Sequence, residues 1–236
     1  MTNTAKTYIA LVLLSGAAVL AIAAGSWTSP NLRQFVIYLG LAALASALKV
    51  RIPGLEGTIS PNFVFLLLAM AACSFSEVVV ISLAAALVQC MWAPGKRLRL
   101  VQVAFSAATL VVSTAVAFGL SHLFLGTHAG DSSAPFVLLA GSLYFPLNSA
   151  LVSIVIGLAG RQPLRQVMLR CYEWVFRHFM GGILFAGLIS SAYSAPLAWK
   201  GALVLLPAVV LAYFYYSRRA DRIPMPESRM GASAAD

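Results

Sequence analysis

The sequence predicts an all-α protein: a polytopic transmembrane helix bundle of about eight spans, with one amphipathic helix at the membrane interface. Composition is the first ground for this. Of 236 residues, 61% are hydrophobic and 10% charged, and mean hydropathy is +0.89. A soluble domain carries about 25% charged residues. So much apolar surface cannot hide in one soluble core, which makes lipid the solvent. The second ground is segmentation, since long apolar runs alternate with short loops that hold the lysines and arginines. The third is the side on which those cations fall, taken up below.

The run Phe63–Trp92 organises the rest. Its 30 residues would make a helix roughly 45 Å long, against a hydrocarbon core of about 30 Å. Glu77 would lie mid-membrane, where a charge costs at least about 2.5 kcal/mol. Two short helices meeting at Ser74–Glu77 are therefore expected, with Glu77 an exposed acid at their turn. They are entered through Arg51–Asn62, where Pro53, Gly54, Gly57 and Pro61 forbid a continuous helix. Thr58, Ser60 and Asn62 are capping candidates there, Ser60 or Asn62 being the natural N-cap.

The other elements follow in order. Tyr8–Ala24 reads as an uncleaved first span with Ala17, Ala21 and Gly25 as close-packing positions; the alternative is a signal peptide cleaved after Ala23. Gln34–Val50 is the second span, with Ala43 and Ala47 four apart for helix approach. Val101–Leu125 and Pro135–Leu158 are the fifth and sixth spans, joined by the polar turn Thr127–Ala134. In Arg161–Phe179 the apolar residues Leu164, Val167, Met168, Cys171, Val175 and Phe179 fall on one arc, opposite Arg165, Arg170, Glu173 and Arg177. That pattern predicts a helix lying among the headgroups, anchored by Tyr172 and Trp174. Met180–Tyr193 follows as a span packed through Gly182 and Ala186, and Ala198–Tyr216 is the last. Residues 1–216 form one transmembrane domain; 217–236 read as a short disordered tail.

Charge tests the count. With eight spans and the N-terminus inside, fourteen basic residues face the cytoplasm and only Arg33 and Lys200 lie outside. A single crossing by Phe63–Trp92 would move Lys96–Arg99 and the Arg161–Arg177 cluster to the outside and destroy the bias. Bacterial inner-membrane placement with both termini cytoplasmic is the resulting expectation. The cations form no stripe, so the net charge of +9 does not indicate nucleic-acid binding.

No catalytic signature is visible: no GxSxG, HExxH or GxxxxGK, and no acidic pair within an apolar run. Cys73, Cys90 and Cys171 lack CxxC spacing and read as small apolar-phase thiols. His122, His128 and His178 read as isolated interfacial residues. No metal or cofactor is expected. Polar residues within apolar helices are the better lead, since each needs a partner in lipid. Gln89, Gln102 and Asn148, with Tyr144 one turn before Asn148, either line a pocket between helices or bond helix to helix. Glu56 and Asn62 of the entry loop join them as gate or pocket candidates, against ordinary turn chemistry.

KVRIPGLEGTISPNFVF (49–65), LVQCMW (87–92), LVQVAF (100–105), YFPLNSALVS (144–153), RCYEW (170–174) and LLPAVVLAYFYY (205–216) occur in that order. Together, over about residues 34–217, they resemble the membrane-associated sensor (MASE-like) region found N-terminal to GGDEF cyclases, HD-type phosphohydrolases and histidine kinases in bacteria. The resemblance implies a non-catalytic sensory input module that binds a small or lipophilic ligand. In that family the last span continues into an output domain; here a short tail follows Arg218, so the resemblance implies either a separate cytoplasmic signalling protein as partner, beside the lipid bilayer, or a truncated or repurposed relative. A fainter resemblance, through the loop before a short apolar helix and Ala43-x-x-x-Ala47, is to the substrate-binding subunits of energy-coupling-factor transporters. It implies a solute-binding or transport component docked on other transporter subunits. A structural membrane protein without a ligand is the third reading.

Overall fold

The computed structural model describes residues 2–51, 58–91, 99–126, 134–160, 164–192 and 198–220. The fold is all-α, with eight helices and one minimal hairpin among these residues. The helices are α1 (Asn3–Gly25), α2 (Leu32–Ala47), α3 (Asn62–Ala72), α4 (Phe75–Met91), α5 (Leu100–Leu125), α6 (Ala134–Gly160), α7 (Leu164–Ala192) and α8 (Ala198–Ala220). Between α2 and α3, β1 (Val50–Arg51) pairs antiparallel with β2 (Thr58–Ile59) in the register Val50↔Ile59, Arg51↔Thr58.

Three helices, α1, α5 and α6, are long and apolar enough to cross a membrane. By contrast, the 11 residues of α3 reach only about 17 Å, half the hydrocarbon thickness. Helix starts and stops follow local chemistry. Thr2 accepts from Ala5 N at 3.3 Å and Asn31 from Gln34 N at 3.2 Å, two side-chain N-caps. Gly126 ends α5 in the left-handed region at φ 58°, where its N–H reaches the His122 carbonyl at 2.9 Å. At α3 the N-cap position falls to Pro61, without a side-chain cap bond, rather than to Ser60 or Asn62.

Contacts at helix ends fix an up–down alternation. The α1–α2 turn meets the α3–α4 junction through Ser76 Oγ donating to Ser26 O at 2.9 Å and Ser74 Oγ donating to Thr28 O at 2.6 Å. His122, ending α5, stands edge-on to Phe136 near the start of α6, and Trp199, starting α8, lies under Arg33 at the start of α2. At the opposite end, Tyr8 of α1 donates to the Leu151 carbonyl of α6 at 3.0 Å and packs on Phe105 of α5. Lys49, just past α2, donates to the Gln89 carbonyl near the end of α4. One end of the bundle therefore carries Arg33 and Lys200, and the other Lys6, Lys49, Arg51 and Arg99 with the N-terminal half of α7 and the end of α8.

At the centre lies α3. Ten of its eleven residues, Asn62–Ala71, are buried, in contact with α2, α4, α6, α7 and α8. A helix apolar all round has no preferred face and is enclosed by its neighbours. Ordinarily such enclosure is what lets a helix stop at half depth, because protein rather than lipid then surrounds its ends.

Two expectations about packing change. α1 turns Ala5, Ile9, Val12, Gly16 and Ala23 inward, while Ala17, Ala21 and Gly25 are exposed. Gly16 is the close-approach point, since a Cβ there would stand 2.7 Å from Ala108 Cβ of α5. On α2 the buried stripe is Gln34, Tyr38, Leu41, Ala42, Ala45 and Ser46, so Ala43 and Ala47 lie beside it, half-buried. In both helices the inward face is one position away from the expected one. Nearly every position is apolar, and lipid accepts the wrong face as readily as protein does.

α7 also departs from expectation. The expected interfacial helix 161–179 and the following span are one continuous helix from Leu164 to Ala192. Its 29 residues reach about 44 Å. It runs antiparallel to α6, with Gly187 against Leu138, Gly141 against Ile183, and Phe145 against Phe176 and Phe179. Gly181 and Gly182 do not interrupt it, because glycine weakens a helix without removing a hydrogen-bond donor. The break expected between the amphipathic helix and the following span is therefore absent. The last helix continues past Tyr216 to Ala220; the rest of the tail lies outside the described residues.

Candidate functional site

Among the described residues, Thr109, Ser113, Thr114 and Ser121 lie along α5, while five of the thirteen buried polar or charged side chains, Ser46, Ser60, Asn62, Ser76 and Glu77, lie at the two ends of α3. At its N-terminal end, Asn62 is 4% exposed and donates from Nδ2 to Ser46 Oγ at 3.0 Å; that hydroxyl passes its own proton to the Ala42 carbonyl at 2.7 Å. Ser60 Oγ donates to the Ala45 carbonyl at 2.8 Å. The Ala45 carbonyl in the last turn of α2, which also accepts from Leu48 N at 3.2 Å, is thus met by the entry to α3. Immediately inward sits an aromatic nest. Phe63 stacks on Phe179 of α7 with centroids 4.0 Å apart. Tyr144, buried in α6, stacks on the same ring at 6.2 Å, and Phe145 lies 4.9 Å from it. Gly182 makes this possible: a Cβ there would stand 2.2 Å from Phe63 Cζ. Ala186, one turn on, is fully buried.

At the other end, Ser74-Phe75-Ser76-Glu77 forms a reciprocal cap on α4. Ser74 N donates to Glu77 Oε2 at 2.8 Å, and Glu77 N donates to Ser74 Oγ at 3.4 Å. Glu77 Oε1 accepts from Ser29 Oγ at 2.7 Å. Far from being exposed, this acid is 2% accessible. Its carboxylate sits at a helix N-terminus, where two free donors and the helix dipole favour negative charge. The Ser-x-x-Glu spacing was a readable signal for it; the Ser29 contact, 48 residues away, was not.

The sequence-derived candidates divide accordingly. Asn62 turns its amide to Ser46 of α2, while Tyr144 stacks on Phe179 of α7, with half-buried Asn148 one turn beyond Tyr144. Gln89 lies half-buried at the far end of α4, where its backbone carbonyl, not its side chain, receives Lys49. Burial lowers the Lys49 ammonium below its ordinary pKa, against the pull of nearby Cys90. Gln102 is exposed and caps α5, its Oε1 accepting from Arg99 N at 3.0 Å; that is helix-end chemistry rather than a pocket lining. Glu56 lies outside the described residues. Ser46, Phe63 and Phe179 belong to the site and were not site candidates, and Ser60 was named only as a cap, because serines and phenylalanines recur throughout the chain.

The site offers neutral hydrogen-bond donors and acceptors above a bed of aromatic rings. No nucleophile–base pair occurs in it, and among the described residues no three His, Cys, Asp or Glu side chains gather as metal ligands. Comparison with protein-family models, curated proteins and solved structures finds no match.

Proposed function

We propose that this chain is a non-catalytic, multi-pass protein of the bacterial inner membrane that receives a small or lipophilic ligand at the entry to α3 and passes a shift of α3 to a cytoplasmic signalling partner. The observation that supports it most is a half-length helix, buried on every side, whose first residue carries an amide bonded to the neighbouring helix. A short helix enclosed by its neighbours and entered through an irregular loop places polar groups where protein, rather than lipid, surrounds them. Phe63 is stacked on α7, so displacement of α3 acts on a helix that runs on to the basic end of the bundle. The excess of basic residues there supports a cytoplasmic placement of that end and of both termini. On this reading the chain makes about eight passes, α3 being the partial one.

Native mass spectrometry of the detergent-purified protein is the test. A retained small molecule in the native chain, lost from Asn62→Leu and Tyr144→Phe, is expected. Absence of any bound species other than lipid, with both variants indistinguishable from the native chain, refutes the reading and leaves a structural role. A transport role is favoured by one feature: Ala43 and Ala47 lie beside exposed Leu44, off the packed face of α2, where a transporter subunit could approach. Uptake unchanged by Ala43→Leu would count against it.

A further inference from the structure

We propose that Arg33, Trp199 and Lys200 form a binding site for the headgroup of an anionic phospholipid, on the face of the membrane opposite the basic end. Among the described basic residues these two alone lie at this end, and both are drawn to one ring. Arg33 Cζ is 4.8 Å and Lys200 Nζ 5.7 Å from the centroid of Trp199, so the charges are no more than about 10.5 Å apart. Two cations this close repel, and each occupies the first turn of a helix, α2 or α8, where the dipole already presents positive charge. The ring offsets part of this. The one acidic side chain described at this end, Glu77, has both oxygens committed to Ser29 and Ser74. An anion between the two cations relieves every one of these conflicts, and a phosphate accepts from a guanidinium and an ammonium together.

The occupant is a lipid rather than a free anion because of what continues from the cations. Val36, three residues on from Arg33, and Leu203 and Val204, four on from Trp199 and Lys200, are exposed apolar side chains. They extend along α2 and α8 away from the charged end, the course an acyl chain follows when its phosphate is held there. Trp199, half-buried, has the amphipathic ring that settles at headgroup depth. The proposal rests on the membrane reading and is independent of any ligand at α3.

The test uses the full chain with Trp27, Trp92 and Trp174 changed to Phe, so that Trp199 is the only emitter. It is reconstituted in phosphatidylcholine vesicles containing brominated phosphatidylglycerol, and in vesicles where the same fraction of phosphatidylcholine is brominated. Stronger quenching by brominated phosphatidylglycerol is expected. Arg33→Gln or Lys200→Gln should weaken that preference about fivefold each, and the double variant about twenty-five-fold. Arg33→Lys should retain most of it, and Lys6→Gln, the same charge change at the opposite end, should leave it intact. Equal quenching by the two lipids overturns the proposal, as does a loss with Lys6→Gln matching that with Arg33→Gln. Recovery of fluorescence on adding inorganic phosphate in place of lipid overturns the lipid assignment.

Discussion

Gly182→Ala should be far more damaging than its neighbour Gly181→Ala, though both add one methyl to the same turn of α7. At position 182 the new carbon would meet Phe63 Cζ at 2.2 Å, Cε2 at 2.6 Å and Val64 Cγ2 at 2.9 Å. Ordinary contact begins near 3.4 Å, so the ring must retreat by about 1.2 Å. It cannot swing aside freely, because its far face stacks on Phe179 at 4.0 Å and it is almost wholly buried. Either α3 and α7 separate or Phe63 leaves its rotamer. Overpacking of this kind costs about 1–3 kcal/mol, and the absence of slack places the expectation near ~3 kcal/mol. At position 181 nothing lies within 4 Å, so the helix preference of alanine dominates and the change is neutral or stabilising by up to about 1 kcal/mol. Thermal unfolding in detergent, followed by circular dichroism, should therefore separate the variants by about 3–4 kcal/mol at matched temperature. Phe63→Leu added to Gly182→Ala should restore part of the loss by vacating the contested space. Equal stability of the two alanine variants would refute the reasoning, and with it the placement of α3 against α7.

Further outcomes follow from the same structure. Glu77→Ala removes the reciprocal cap and strands the Ser29 hydroxyl, for a loss of about 2–3 kcal/mol; Glu77→Gln keeps one acceptor and should cost about 1 kcal/mol, both read by thermal unfolding. Gly126→Ala should cost about 1 kcal/mol, because φ 58° disfavours a Cβ, with the loss appearing as earlier fraying of α5 in hydrogen exchange. In a background lacking the three native cysteines, Trp27→Cys and Arg99→Cys should react with an impermeant maleimide from opposite sides of sealed vesicles. Labelling of both from one side would break the alternation of helices.

Read alone, the chain determined its solvent and its punctuation. Composition pointed to lipid, length divided Phe63–Trp92, and Pro53, Gly54, Gly57 and Pro61 set the entry loop apart. Asn62 and Tyr144 were found because a polar group in an apolar helix stands out against its background. The tertiary structure alone decided which way each helix faces. Ala42, Ala45 and Ser46 turn inward rather than Ala43 and Ala47, and Gly16 rather than Ala17 or Gly25 meets its neighbour. In water, an inward face is marked by the change from polar to apolar; in lipid both sides of a helix are apolar, so the mark is missing and shape complementarity decides. Glu77 shows the same limit from the polar side. Its local cap was written in four consecutive residues, yet its burial depended on Ser29, brought to it only when the α1–α2 turn folds over the junction of α3 and α4.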